Sequence, residues 1–164
     1  MLTMKPCPLS LDLVRSMHMP TDRPTAVVEI LLVEDERDDA DLMREALESG
    51  CLQPHITWVD NGEKALDYLQ RNGEFATAAE PNLILLDLFM PRMTGHEVLA
   101  VIKRHDLLRR IPIVIMTSAD NEEAFRLAYD LHANCCVSKP TDQHEFVVAV
   151  KKIETFWFRV ARRS

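Results

Sequence analysis

The chain has 164 residues, 47% apolar and 27% charged, with a net charge of -7, an ordinary composition for one soluble domain with a sizeable core. The negative charge, without a long basic run or an aromatic-studded basic stripe, argues against nucleic acid as the main partner. No stretch reaches the ~18 consecutive apolar residues of a membrane span, and the N-terminus lacks the compact apolar core of a signal peptide.

Cys7, Cys51, Cys135 and Cys136 form no C-x-x-C and carry no ligand-like histidine spacing. Reduced, partly buried cysteines in a cytoplasmic protein are expected. Residues 1–26 carry prolines at 6, 8, 20 and 24 and no sustained period. They are expected to be a flexible or loosely docked extension, with a short helix conceivable because Leu9, Leu13 and Met17 share one face. Residues 27–164 are expected to be one domain ending in an extended helix.

From Val27 the pattern becomes regular. "VVEILLV" (27–33) is an apolar, β-branched strand. "DERDDADLMREALES" (35–49) places Ala40, Met43 and Leu47 on one helical face. "HITWV" (55–59) is a short, more polar strand, and "NGEKALDYLQ" (61–70) opens on a turn signal and continues as a helix. "LILLD" (83–87) is a third strand. "TGHEVLAVIKRH" (94–105) starts with the capping-box pattern Thr94-x-x-Glu97. "IPIVIMT" (111–117) is a fourth strand, and "DNEEAFRLAYDLH" (120–132) is a helix opening with Asp120-x-x-Glu123. "ANCCVS" (133–138) is a fifth strand, and a last helix runs from Thr141 to about Val160.

Strand–helix alternation repeated in this way predicts a parallel sheet with helices on both faces. Strands buried on both faces are apolar throughout, as the first, third and fourth are. The more polar second strand belongs at an edge. The expected fold is an α/β, doubly wound, five-stranded sheet in the order 2-1-3-4-5, with its ligand site beyond the carboxyl ends of the strands.

The residues at those ends are informative. The first strand ends in "VEDE", giving Glu34 and Asp35. The third runs four aliphatic residues straight into Asp87. The fourth ends in "MTSA" with Thr117 and Ser118, and the fifth in "VSKP" with Lys139 and Pro140. A buried, unpaired carboxylate costs several kcal/mol at least. Three carboxylates held together raise one another's pKa unless a cation intervenes. Oxygen ligands alone fit a hard divalent ion such as Mg²⁺, or Mn²⁺. Taken singly, each acid reads as a helix cap or a solvated loop residue. Asp35 could cap the first helix, and Glu36, Asp38, Asp39 and Asp41 read as complements of the helix N-terminus or as solvent-facing.

The strings "VEDE", "LILLDLFMPRMTG", "IVIMTSA" and "VSKP" together resemble the receiver domain of two-component response regulators over roughly residues 27–150. The resemblance implies the flavodoxin-like receiver fold. It implies that Asp87 is the phosphoacceptor, taking a phosphoryl group from a sensor histidine kinase. It also implies that Asp35 and Asp87 bind Mg²⁺ directly, with the main-chain carbonyl of Phe89 as a third ligand and Glu34 acting through water. Thr117, with Ser118 beside it, resembles the switch hydroxyl. Lys139 resembles the charge partner of the phosphoryl group, and the Lys139–Pro140 bond is expected to be cis.

Two departures stand out. The family usually has an aromatic residue three positions before the lysine, and here that residue is Cys136. A small buried hydrophobe is the expected role for it, ahead of a redox sensor. No recognised output domain follows the last helix, so output by protein contact or onward phosphoryl transfer is expected.

In "EFVVAVKKIETFWFRVARR" (145–163), Phe146, Val150, Ile153, Trp157 and Val160 form one stripe. Phe156 lies near one edge, with Val147 and Phe158 beyond the other, an apolar arc of roughly 200° against the narrower stripe of an ordinary surface helix. Either a partner or the N-terminal extension is expected to cover the surplus. "DLHANC" and "IETFW" also resemble the single-domain response regulators paired with bacterial and cyanobacterial phytochromes. That resemblance implies a bacteriophytochrome kinase as partner and a homodimer through Val147, Phe156, Trp157 and Phe158. This chain's tail lacks the group's usual later Leu-Pro. Two rivals remain: a phosphorylation-independent docking scaffold, and a Mg²⁺-dependent phosphatase. The phosphatase needs a second acid two residues after Asp87, where Phe89 stands.

Overall fold

Strands β1 (Glu29–Val33), β3 (Leu83–Leu86) and β4 (Ile113–Thr117) are almost wholly apolar, and their side chains are buried on both faces of a sheet. β2 (His55–Val59) and β5 (Cys135–Ser138) flank them. The computed structural model describes residues 27–50, 52–118 and 121–160. All neighbouring strands pair in parallel, in the order β2-β1-β3-β4-β5, as the alternation predicts. The polar strand β2 lies at an edge, where one flank of the ladder needs no partner.

Period-two alternation divides the core. Leu31, Val33, Ile84, Leu86, Ile113 and Ile115 face helices α2 (Gly62–Gln70), α3 (Gly95–Arg104) and α4 (Glu122–Asp130). Ile30, Leu32, Leu83, Leu85, Val114 and Met116 face α1 (Arg37–Glu48) and α5 (Gln143–Thr155). The predicted stripe Ala40, Met43 and Leu47 is buried on α1, and Phe146, Val150 and Ile153 are buried on α5. Each large aliphatic side chain so buried contributes about 1.5–3 kcal/mol through removal from water.

Helix starts follow local chemistry. The capping box at α3 forms as expected, with the Thr94 hydroxyl accepting from the Glu97 N–H and the Glu97 carboxylate accepting from the Thr94 N–H. Asn61 caps α2 by accepting from the Lys64 N–H. The cap of α4 is Asn121, which accepts from the N–H groups of Glu123 and Ala124. The Asp120 first expected in that role lies outside the described residues, as do residues 1–26, Cys51, the side chain of Val160 and the basic tail. Asp35 does not cap α1. The cap position is Glu36, whose own N–H donates to the Glu34 carboxylate at 3.1 Å.

Two expectations near the C-terminus are corrected. The last helix is not uniform: α5 ends at Thr155, and Phe156–Val160 continue as a π-helix. The wider turn brings both Trp157 and Phe158 against the core on the α1–α5 side, and the Phe156 ring meets Trp157 edge-on at 5.0 Å. The described peptide bonds include no cis bond, so Lys139–Pro140 is trans. The Lys139 N–H donates to the Thr117 carbonyl at 2.8 Å, extending the β4–β5 ladder by one residue. The lysine is thereby aimed at the strand ends in the ordinary trans geometry, which X–Pro bonds favour by about 0.5–1 kcal/mol.

Candidate functional site

The ladder hydrogen bonds carry three acids to one place. Beyond β1, the Glu34 N–H donates to Val59 at 3.1 Å, and beyond β3, the Asp87 N–H donates to Val33 at 3.0 Å. Each bond prolongs a strand pairing by one residue and holds the acid's backbone in register. Glu34, Asp35 and Asp87 each offer a carboxylate oxygen, and these oxygens lie within 4.8 Å of one another. Glu34 and Asp87 are buried, and Asp35 is partly exposed.

Gly95 makes room for Asp87. A Cβ at this position would sit 2.2 Å from the Asp87 carbonyl oxygen and 2.7 Å from the Leu88 Cα. The Gly95 N–H donates to Leu88 at 2.8 Å, so the start of α3 is pressed onto the chain just after β3. Only a residue without a side chain fits there.

Lys139 is the counter-charge. Its buried ammonium forms a close ion pair with Glu34, donates to Asp39 at 3.1 Å, and lies 3.6 Å from Asp87. Burial pushes the Glu34 carboxyl up to about 8, outweighing the pull of Lys139, and the charge on Asp87 adds to the rise. Burial likewise raises Asp87 against the pull of Lys139. For Lys139, burial works against the charge, but the carboxylates of Glu34 and Asp87 outweigh it and hold the ammonium above its ordinary value. Negative charge is therefore costly here, and one ammonium does not neutralise it.

One oxygen bears on what else could enter. Asp35 Oδ1 is buried and has no hydrogen-bond partner among the described residues. An orphaned carboxylate oxygen beside two more acids, with no imidazole or thiolate in the cluster, is the donor set of a hard divalent cation. Mg²⁺ or Mn²⁺ fits it, and Glu34, Asp35 and Asp87 are the residues that could hold it.

The remaining expected residues can now be placed. Thr117 is buried at the end of β4, on the strand between Asp87 and Lys139, and Ser118 is exposed just beyond it. The Phe89 side chain is 48% exposed, which puts the bulk beside Asp87 at the surface. The Phe89 N–H approaches Asp87 Oδ1 at 3.4 Å. Cys136 is buried, and burial pushes its thiol up to about 11, the chemistry of a core residue more than of a reactive thiolate. Its N–H donates to the Tyr129 hydroxyl at 3.3 Å. Val147, Phe156, Trp157 and Phe158 are half-buried along α5 and the π-helix.

The sequence makes Asp39 a helix-end or solvent-facing acid, and the structure places it on Lys139 instead. The signal was present: Asp39 precedes the buried Met43 by four residues and Leu47 by eight, so it shares their inward face. The close approach at Gly95 carried no comparable signal.

The family model for the response regulator receiver domain matches residues 30–151. Response regulator Rcp1 of Synechocystis sp. is 40% identical over 128 residues, covering 78% of this chain and 87% of that relative. Among solved structures, the phosphorylated cyanobacterial phytochrome response regulator RcpA is 41% identical with a TM-score of 0.81, over 84% of this chain and 98% of its own. The Mn²⁺-bound form of Rcp1 is 37% identical with a TM-score of 0.79, over 84% of this chain and 99% of its own.

Proposed function

We infer that this chain, which belongs to the response regulator receiver domain family, accepts a phosphoryl group from a sensor histidine kinase on Asp87 and signals by protein contact. The observation that carries this reading is the convergence of Glu34, Asp35, Asp87 and Lys139 at the strand ends. A docking scaffold has no need of so costly a group of buried charges. The phosphatase alternative lacks its second acid, because Phe89 stands there.

A carboxylate is a competent phosphoryl acceptor. An oxygen of Asp87 attacks phosphorus, the bond from phosphorus to the donor's imidazole nitrogen breaks, and the electron pair stays on that nitrogen. The transition state is loose, so the protein's task is to position the reactants and neutralise charge. Asp35, Asp87 and the Phe89 carbonyl, with Glu34 acting through water, would hold a Mg²⁺ or Mn²⁺ ion, which would supply positive charge to the phosphoryl oxygens. Lys139 supplies a second charge, and the Thr117 hydroxyl donates a hydrogen bond to the same group.

The relatives that are phytochrome response regulators support a bacteriophytochrome as the cognate kinase. The half-buried Val147, Phe156, Trp157 and Phe158 support a homodimer through the last helix, because an isologous contact lets one patch serve both chains. Residues 1–26 are a preceding extension on this reading, and the site of action is the cytoplasm.

Incubation with acetyl phosphate and Mg²⁺, read by intact mass, tests the central step. The expected result is a Mg²⁺-dependent gain of one phosphoryl group, labile to hydroxylamine and abolished in Asp87→Asn. A wild-type protein that gains no mass, or an Asp87→Asn protein that gains as much, overturns the assignment.

A further inference from the structure

We propose that Asp39 is a positioning residue that holds one N–H of the Lys139 ammonium toward the solvent rim, off Asp87, and so leaves Asp87 open to a divalent cation. The inference rests on the reading of Glu34, Asp35 and Asp87 as the cation site.

Lys139 has three N–H donors and three carboxylates around it. Two are hydrogen-bonded, Glu34 and Asp39, the latter at 3.1 Å. The third, Asp87, is an ion pair at 3.6 Å, beyond hydrogen-bond reach. Asp39 differs from the other two in one respect. It stands outside the group of acids whose oxygens converge for a metal, and its side chain pairs with the lysine.

The placement gives the contact a direction. Lys139 has 5% of its side chain exposed and Asp39 has 41%, so the ammonium lies between a buried acid cluster and an acid at the solvent rim. Asp39 is on the first turn of α1, on the same face as Met43 and Leu47. The packing of those two residues against the sheet fixes where the Asp39 backbone sits.

An ammonium and a divalent cation compete for the carboxylates of Glu34 and Asp87. Without Asp39, the ammonium has only those two carboxylates to satisfy it, and buried charges seek partners strongly. It then settles inward as a built-in competitor. With Asp39 present, one N–H is held toward the rim, and Asp87 lies 3.6 Å from the ammonium, beyond hydrogen-bond reach.

The test is a MgCl₂ titration of the full chain, followed by Trp58 emission. Asp39→Asn keeps the shape and removes the charge. Its Mg²⁺ affinity is expected to fall on the order of tenfold, between the scale of a close charge interaction in bulk water and that of one near a protein surface. Simple loss of a nearby negative charge predicts the same fall, so the comparison is repeated in a Lys139→Met background. If Asp39 acts through the lysine, Asp39→Asn there costs little further. An equal fall in both backgrounds, or no fall in either, overturns the proposal. Asp39→Glu retains the charge and should bind within about threefold of wild type. A loss as large as that of Asn assigns the effect to shape and also overturns it. A wild-type chain with no saturable Mg²⁺ response, or one indifferent to Asp35→Ala, sinks the underlying reading of the cation site instead.

Discussion

The indole Nε1 of Trp58 donates to the main-chain carbonyl of Glu34 at 2.8 Å. Edge strand β2 is thereby tied to the chain end of β1, one residue from Asp35. Any change in the charge or position of this acidic corner acts on the hydrogen bond of a fluorescent ring.

Cation binding is therefore expected to change Trp58 emission. The protein has two tryptophans, so the response should persist in Trp157→Phe and vanish in Trp58→Phe. Asp35→Ala removes the orphaned oxygen and should weaken Mg²⁺ by well over tenfold, on the order of a few kcal/mol. An unchanged titration in Asp35→Ala would falsify the ligand assignment.

Gly95→Ala should be costly although the residue is helical and alanine is the better helix former. A Cβ there meets the Asp87 carbonyl at 2.2 Å, and that contact is backbone, which cannot rotate away. A loss of about 1–3 kcal/mol in denaturant unfolding is expected, the scale of an overpacked site. Phosphorylation by acetyl phosphate should slow as well, since the shift falls on Asp87. Wild-type stability and rate together would mean that α3 starts with more freedom than its packing implies.

Cys136 sets a pH dependence of stability. Its thiol ionises near 9 ordinarily and is pushed up to about 11 by burial in the folded protein. Between those values the unfolded chain has released a proton that the folded chain keeps. Stability contributed by the neutral thiol is thus full below pH 9 and declines as pH rises toward 11, by up to about 2–3 kcal/mol. Cys136→Ala removes this slope, so the gap between wild-type and mutant unfolding curves should change over that window. A gap constant from pH 8 to about 11 would show that the thiol does not titrate with folding.

The dimer is tested by light scattering after gel filtration. A particle of twice the 18.8 kDa chain mass is expected at tens of micromolar protein. Phe156→Ala with Phe158→Ala should return it to the monomer, because aromatic residues at the centre of such a patch carry much of the binding energy. A monomeric wild type, or a dimer that ignores both substitutions, places the contact elsewhere or nowhere.

Much of this molecule follows from local rules. The aliphatic runs at 83–86 and 113–117 had to be buried on both faces, and the polar strand 55–59 had to lie at an edge. Those two constraints suit the order 2-1-3-4-5 and keep β2 out of the middle of the sheet before any coordinate is known. Thr94 and Glu97 form their capping box from spacing alone, and acids at strand ends converge once the strands are parallel neighbours. Other features depend on distances between parts of the chain far apart in sequence. The bond from the Lys139 N–H to the Thr117 carbonyl joins two strand ends, and the need for glycine at 95 follows from the backbone at Asp87. The role of Asp39 is of the same kind. Among the five acids from Asp35 to Asp41, both included, composition does not distinguish it. What selects it is a lysine a hundred residues later, brought by β5 within 3.1 Å. Periodicity determines which face a side chain occupies, but only tertiary packing decides which charge it meets there, because ion pairing depends on a few ångströms of separation.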